Sequence, residues 1–272
     1  MLGVHTNYAS IVAQGAVNKS NNLLTNAMER LSTGLRINSA SDDAAGLQIA
    51  NRMSANVKGM ETASRNISDA TSMLQTADGA LEELTTIANR QKELATQASN
   101  GVNSTADLKA LDDEFKQLNA EITRIVENTT YAGNNLFKDA TDGVLVKGVT
   151  FQIGSDAAEK MSVTLGAIDK TVAGDLLTSA AANTAIGAVD TFLAKVGTER
   201  STLGANINRL GHTAANLGSV TENTKAAAGR IMDADFAVES ANMTRNQLLV
   251  QAGTTVLSSA NQNTGLVMGL LR

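Results

Sequence analysis

Residues 49–98 read IANRMSANVKGMETASRNISDATSMLQTADGALEELTTIANRQKELATQA, and their spacing decides the fold. Met53, Met60, Ile67, Leu74, Leu81, Ala88 and Ala95 stand at strict seven-residue intervals. Ile49, Ala63, Ala70, Ala77, Leu84 and Ala98 fill the companion row, with Asn56 and Gln91 as its polar exceptions. Two apolar rows per heptad predict a helix with a packing seam, roughly 70 Å long at 1.5 Å per residue. Ser39, Ser41, Asp42 and Asp43 precede it and offer capping oxygens and negative charge at the positive end of the helix dipole. Downstream, Asn100-Gly101-Val102-Asn103-Ser104 breaks the pattern in turn residues.

Two further runs work outward from this one. Leu108, Leu111, Phe115, Leu118, Ile122, Ile125 and Thr129 keep three-four spacing, so a second helix is expected to fold back on the first. Val189, Phe192, Val196, Leu203, Leu210, Leu217 and Val220 form a third, whose companion row holds Glu199, Asn206 and Thr213. A seam so spotted with polar groups suits a helix packed among several neighbours. Between the second and third runs, Gly133-Asn134-Asn135, Val144-Leu145-Val146, Val149 to Gly154 and Met161 to Leu165 are short β-prone pieces separated by Gly, Asp and Lys. They predict hairpins in a small insert over about 131–180. The fold class expected is mainly α: a long antiparallel helical rod or coiled-coil bundle with a small β-hairpin region, plus paired N- and C-terminal helices.

Composition agrees with long helices and excludes several chemistries. The 272 residues contain no Pro, no Cys and no Trp. Absence of Pro removes the strongest helix breaker, and absence of Cys removes disulfides, thiolate metal sites and thiol nucleophiles. The two histidines, His5 and His212, are far apart in sequence, so no metal site, catalytic residue or cofactor site is expected. Asp42-Asp43 reads as capping and subunit contact in preference to an acid/base pair, because no partner base accompanies it. Gly34, Gly46 and Gly253 form no phosphate loop and are read as bends or places of close helix approach. The net charge of −5 is spread out, with no basic block for nucleic acid and no apolar run able to span a bilayer. The first residues lack a charged then apolar leader, so a Sec signal is not expected.

The two ends differ from the middle. Val4, Tyr8, Ile11 and Val12, then Leu23, Leu24, Ala27, Met28 and Leu31, make one apolar stripe. Val238, Ala241, Leu248, Leu249, Ala252, Val256, Ala260, Val267, Leu270 and Leu271 make another. Lys19 is the sole charge from Thr6 to Asn26, and none occurs from Asn246 to Leu271. A monomeric surface helix carries Lys and Glu on its outer face. Apolar stripes flanked by uncharged polar residues instead suit burial on several sides, in an assembly of copies of this chain. Segments so poor in charge and core are expected to order only as they are buried.

At this point the chain resembles a known family. Val4-His5-Thr6-Asn7, Glu29-Arg30-Leu31-Ser32-Thr33-Gly34-Leu35-Arg36-Ile37-Asn38-Ser39-Ala40 and Asp42-Asp43-Ala44-Ala45-Gly46 look like the N-terminal signature of bacterial flagellins. Ser64-Arg65-Asn66 and Gln75 to Leu81 continue the likeness. Asn242-Met243-Thr244-Arg245, Gln251-Ala252-Gly253-Thr254, Ala260-Asn261-Gln262 and Leu270-Leu271-Arg272 carry it at the other end. The likeness covers about residues 1–137 and 180–272. It implies a secreted structural subunit of an extracellular helical filament for motility, of a short form without large surface domains. It also implies a core element of residues 1–40 paired with 233–272, and a surrounding layer from residues 41–232. Export unfolded through a type III apparatus, a chaperone on the C-terminal segment, and cap and hook-associated partners follow from the same resemblance. So does a patch for a flagellin-sensing Toll-like receptor at Arg90, Leu94 and Glu114, where Asn89 and Lys92 depart from the commoner Gln and Arg. A hook–filament junction protein shares the terminal motifs, and a chemoreceptor-like signalling coiled coil shares the heptads. The near-complete match in the middle helices argues against the first. The Leu-Leu-Arg end argues against the second.

Overall fold

The computed structural model describes residues 6–138 and 142–270, with side chains as far as residue 262. Helices α1 (Tyr8–Thr33), α2 (Ala44–Ala98), α3 (Thr105–Asn128), α4 (Val144–Lys147), α5 (Ser179–Met232) and α6 (Phe236–Leu270) alternate with four short strands. These are β1 (Thr130–Tyr131), β2 (Asn134–Asn135), β3 (Val149–Gln152) and β4 (Lys160–Val163). The chain divides into two compact units, one of residues 1–55 with 223–272 and one of residues 56–222. Helices α2 and α5 contribute to both.

In the unit of residues 56–222 the heptad seam is the core. Ala63, Ile67, Ala70, Leu74, Ala77, Leu81, Leu84, Ala88, Ala95 and Ala98 are all buried, against Phe115, Ile122, Ile125 and Val126 of α3 and Val189, Phe192, Val196, Leu203 and Leu210 of α5. Many of these are Ala, and the small side chains let the helix axes approach closely. The pairing of α2 with both neighbours is antiparallel: Arg90 meets Glu114 on one side, while Asp78 meets Arg200 and Lys92 meets Asp190 on the other. Gln91 lies in the seam, fully buried, and its Nε2 donates to the Phe115 carbonyl at 3.3 Å. Val220 departs from expectation and is exposed. It belongs to the polar companion row with Glu199, Asn206 and Thr213, while the row of Val189, Val196, Leu203, Leu210 and Leu217 is buried. Of the seam's first members, Ile49 is exposed and Met53 half-buried. They lie in the other unit.

The helix ends are set by local hydrogen bonds. Asp43 Oδ1 accepts from Gly46 N at 2.8 Å and caps the start of α2. Asp42 accepts from the backbone N–H groups of Ser39 and Asn38, and from the Ser39 hydroxyl, which hold its carboxyl below the ordinary value of 3.8. Helix α3 opens with a reciprocal cap between Ser104 and Asp107.

The middle insert is only partly β. Strands β1 and β2 pair across Ala132 and Gly133, whose positive φ angles of 49° and 82° make the two-residue turn that suits a twisted hairpin. Strands β3 and β4 pair antiparallel, Val149 opposite Val163 and Gln152 opposite Lys160, and turn Met161 and Val163 into the core. Val144-Leu145-Val146 is not a strand, however, but the single helical turn α4. Its apolar residues do not alternate with polar ones, and only Leu145 goes fully inward, held through Leu136 O and Leu165 N. The hairpin also stops at Val163. Residues 164–178 form an extended strap with no regular partner, and α3 side chains replace one. Asn119 accepts from Val172 N at 2.8 Å and donates to Val172 O at 3.1 Å, Thr123 donates to Lys170 O, and buried Asp112 accepts from Leu176 N. Leu165, Ile168, Val172 and Leu176 are buried beneath it. Asn119→Ala leaves both backbone groups of Val172 without partners, so a loss of about 1–3 kcal/mol is expected in chemical denaturation. An unchanged midpoint would mean that the strap is held by its apolar side chains alone.

Candidate assembly surface

Residues 1–55 and 223–272 form a unit whose main feature is one helix pair. Asn7 caps α1 by accepting from Ser10 N at 3.1 Å, and Asp235 caps α6 by accepting from the N–H groups of Ala237 and Val238. Helix α1 ends at Gly34, which takes the left-handed conformation (φ 72°) as its N–H returns to Arg30 O. The chain ends then pair antiparallel. Asn7 Nδ2 donates to Ala260 O at 2.9 Å, and Val17 packs against Gly253. Arg30 meets Glu239 at 2.9 Å. A Cβ on Gly253 would come within 2.5 Å of Val17 Cγ2, so this is a place of close helix approach. Past the helix ends, Ala234 N donates to Gly34 O and Arg36 N to Met232 O, which ties the connecting segments together.

This pair has almost no core. Ala27 is the one buried residue of α1 among those described, and Glu239 and Asn246 are the buried polar residues of α6. The large apolar residues stay outside: Tyr8 is 76 % exposed, Phe236 62 % and Leu248 60 %, and Ile11, Val12, Leu23, Met28, Val238, Leu249 and Val256 are exposed as well. Leu24, Leu31 and Ala260 are half-buried. Val4 and Leu271 lie outside the described residues, as do the side chains of Val267 and Leu270. Two helices in contact cover only the line where they touch, so a stripe wider than that line remains in water. Scattered exposed apolar residues are ordinary, but a row of large ones along paired helices is the kind of surface that marks an interface.

Two features of the pair are absent from the apolar pattern. Phe236 extends the exposed stripe at the first residue of α6, and Arg30–Glu239 joins the helices through a nearly buried carboxylate, whose second oxygen accepts from Asn242. In a pair with so little charge, one ion pair of this kind fixes register, since any slip strands a buried charge.

The residues singled out on α2 and α3 separate into two kinds. Arg90 donates to Glu114 through Nε at 3.0 Å and through a terminal nitrogen at 2.8 Å, and to Glu93 at 3.1 Å. The hydrogen bond to Glu114, then that to Glu93, raises the guanidinium above its ordinary value, so it stays charged. Leu94 does not join them at the surface: it is 1 % exposed and belongs to the core. Among the described residues, no group of three or more His, Cys, Asp or Glu could hold a metal ion, and no helix is long and apolar enough to cross a membrane.

Comparison with known proteins places the same segments in a family. Residues 4–142 match the bacterial flagellin N-terminal helical region, and residues 186–271 match the bacterial flagellin C-terminal helical region. A flagellin of Halalkalibacterium halodurans is 43 % identical over 90 % of this chain and 91 % of its own length. A flagellar filament 33 kDa core protein of Treponema phagedenis is 34 % identical over 99 % of both chains. Among solved structures, Bacillus cereus flagellin superposes with a TM-score of 0.52 at 35 % identity, covering 60 % of this chain and 94 % of that one.

Proposed function

The chain belongs to the bacterial flagellin family, and on that premise we propose that its two terminal helices are what turn a subunit into a polymer. The protein is a structural subunit of the flagellar filament. Tyr8, Ile11, Leu24, Met28, Leu31, Leu249, Val256 and Ala260, with Val4, Val267, Leu270 and Leu271 beyond the described side chains, line the filament core. Residues 1–40 with 233–272 form its inner layer, and residues 41–232 form the layer around it. Supporting this is the uncovered apolar stripe on a helix pair almost without charge. A self-association that repeats one heterologous contact without closing generates a helical filament. Each Val, Leu, Ile or Met of the stripe removed from water contributes about 1.5–3 kcal/mol, so neighbouring subunits supply the stability that the isolated pair lacks.

Substituting Leu249 and Val256 together by Asp tests the assignment. Losing two such contacts is expected to raise the concentration needed for polymerisation by at least about a hundredfold. Sedimentation and negative-stain microscopy read it. Normal filaments at the parent concentration would remove these two residues from the core.

Export of the unfolded chain through the flagellar type III apparatus belongs to the same reading. A chain without Pro or Cys has no prolyl isomerisation and no disulfide step to delay refolding after passage. An export chaperone covers the apolar α6 stripe before assembly, and the filament cap and hook-associated proteins meet the same helices. For the flagellin-sensing Toll-like receptor, the exposed Arg90–Glu114 pair is the contact, and Leu94 supports it from beneath.

A further inference from the structure

We infer that Asn100 is a site of self-modification, where the backbone nitrogen of Gly101 attacks the side-chain amide, releases ammonia, and leaves aspartate or isoaspartate after hydrolysis by water. Asn100-Gly101 is the sole Asn-Gly pair in the sequence, and it falls in the short connection between α2 and α3 with both residues exposed. Gly101 has no Cβ to obstruct the approach of its nitrogen to Cγ. Its N–H donates to no acceptor among the described residues, and neither does the Asn100 Nδ2 that must leave. Asn100 Oδ1 accepts a long hydrogen bond, 3.4 Å, from Val102 N, which places a donor on the oxygen where negative charge develops during attack.

The neighbouring asparagines lack these conditions. Asn103 Nδ2 is held by Gln97 O at 2.6 Å and by Asn100 O at 3.0 Å, and the following nitrogen, of Ser104, is bound to Asp107. Asn128 Nδ2 is held by Arg124 O, and Thr129 N is bound to Ile125 O. Of these three, only Asn100 has nucleophile and leaving group both without a partner among the described residues.

The step needs no oxidant. The N–Cγ bond forms as the Gly101 nitrogen gives up its proton, the Cγ–Nδ2 bond breaks, and ammonia departs with that proton. Water then opens the resulting ring. Attack at Cγ restores a normal backbone as aspartate, and attack at the main-chain carbonyl yields isoaspartate, with one extra methylene in the chain. Either product sets a carboxylate at the C-terminal end of a 55-residue helix, the negative end of its dipole. A subunit locked in a polymer is not replaced in place, so the product accumulates with its age.

The test holds the purified full-length chain in mildly alkaline buffer. At intervals, peptides are mapped by mass spectrometry and methyl-accepting isoaspartate is measured with an isoaspartate-specific methyltransferase. The peptide containing Asn100 is expected to exchange amide for carboxyl before any other asparagine peptide. Gly101→Ala is expected to lose most of this product. A Cβ there meets nothing within 4 Å and the backbone is not left-handed, so the fold is retained, as circular dichroism checks. Conversion at Asn103 or Asn128 ahead of Asn100, no conversion at Asn100, or Gly101→Ala reacting as fast as the parent would each overturn the inference.

Discussion

Deleting residues 233–272 is expected to leave a folded, helical protein that forms no filament at any accessible concentration. The deletion removes Glu239 from Arg30, Ala260 O from Asn7 and Gly253 from Val17, so α1 loses the helix it chiefly packs against. What remains of α1 is a 26-residue helix with one buried residue, little charge and an apolar stripe. Most helical stability in proteins comes from tertiary packing, so such a helix frays in isolation. Among the described residues, the core over residues 56–222 includes none from α6, and its cooperative unfolding should survive. Circular dichroism should therefore show a native-like transition with reduced helix content, while sedimentation finds no polymer. Filaments from the truncated chain would show that the assembly contacts lie within residues 1–232 and do not need α6.

The largest single-residue effect on stability is expected at Phe115. Its ring is fully buried between α2 and α3, and its own carbonyl receives the Gln91 amide. Phe115→Ala removes a large apolar side chain and leaves a cavity that long helices cannot collapse to fill, a loss of about 3–5 kcal/mol. Val220→Ala, on the exposed companion row of α5, should stay within about 0.5 kcal/mol. Chemical denaturation followed by circular dichroism measures both. A Phe115→Ala loss as small as that of Val220→Ala would show that the seam is not the principal core.

Much of this architecture was legible because heptad spacing converts directly into burial. Leu74, Leu81, Ala88 and Ala95 could be assigned inward by counting, and the counting held even at Gln91, where residue type argued for solvent. The α2–α3 turn was legible from Asn100 to Ser104, since turn and capping residues act locally. The strap over residues 164–178 was not, because its backbone partners are the side chains of Asp112, Asn119 and Thr123, 47 to 64 residues away in sequence. Val144-Leu145-Val146 misled because three β-prone residues without alternation carry no period. On the terminal helices, the exposed stripe residues Tyr8, Ile11 and Val256 could be read from apolar spacing and missing charge. The Arg30–Glu239 pair could not, since nothing local distinguishes those residues from exposed ones. Leu94 likewise shows no sign in sequence of lying beneath Arg90 instead of beside it.

On the proposed assignment, the exposed stripe of α1 and α6 becomes the buried core of the polymer. Electron cryo-microscopy of filaments grown from the purified chain tests it most directly, by measuring how exposed Tyr8, Ile11, Met28, Leu248, Leu249 and Val256 remain. All six, exposed in the single chain, are expected to be enclosed by α1 and α6 helices of neighbouring subunits. A reconstruction with these side chains facing solvent, and with subunits joined through α2, α3 and α5 alone, would contradict it.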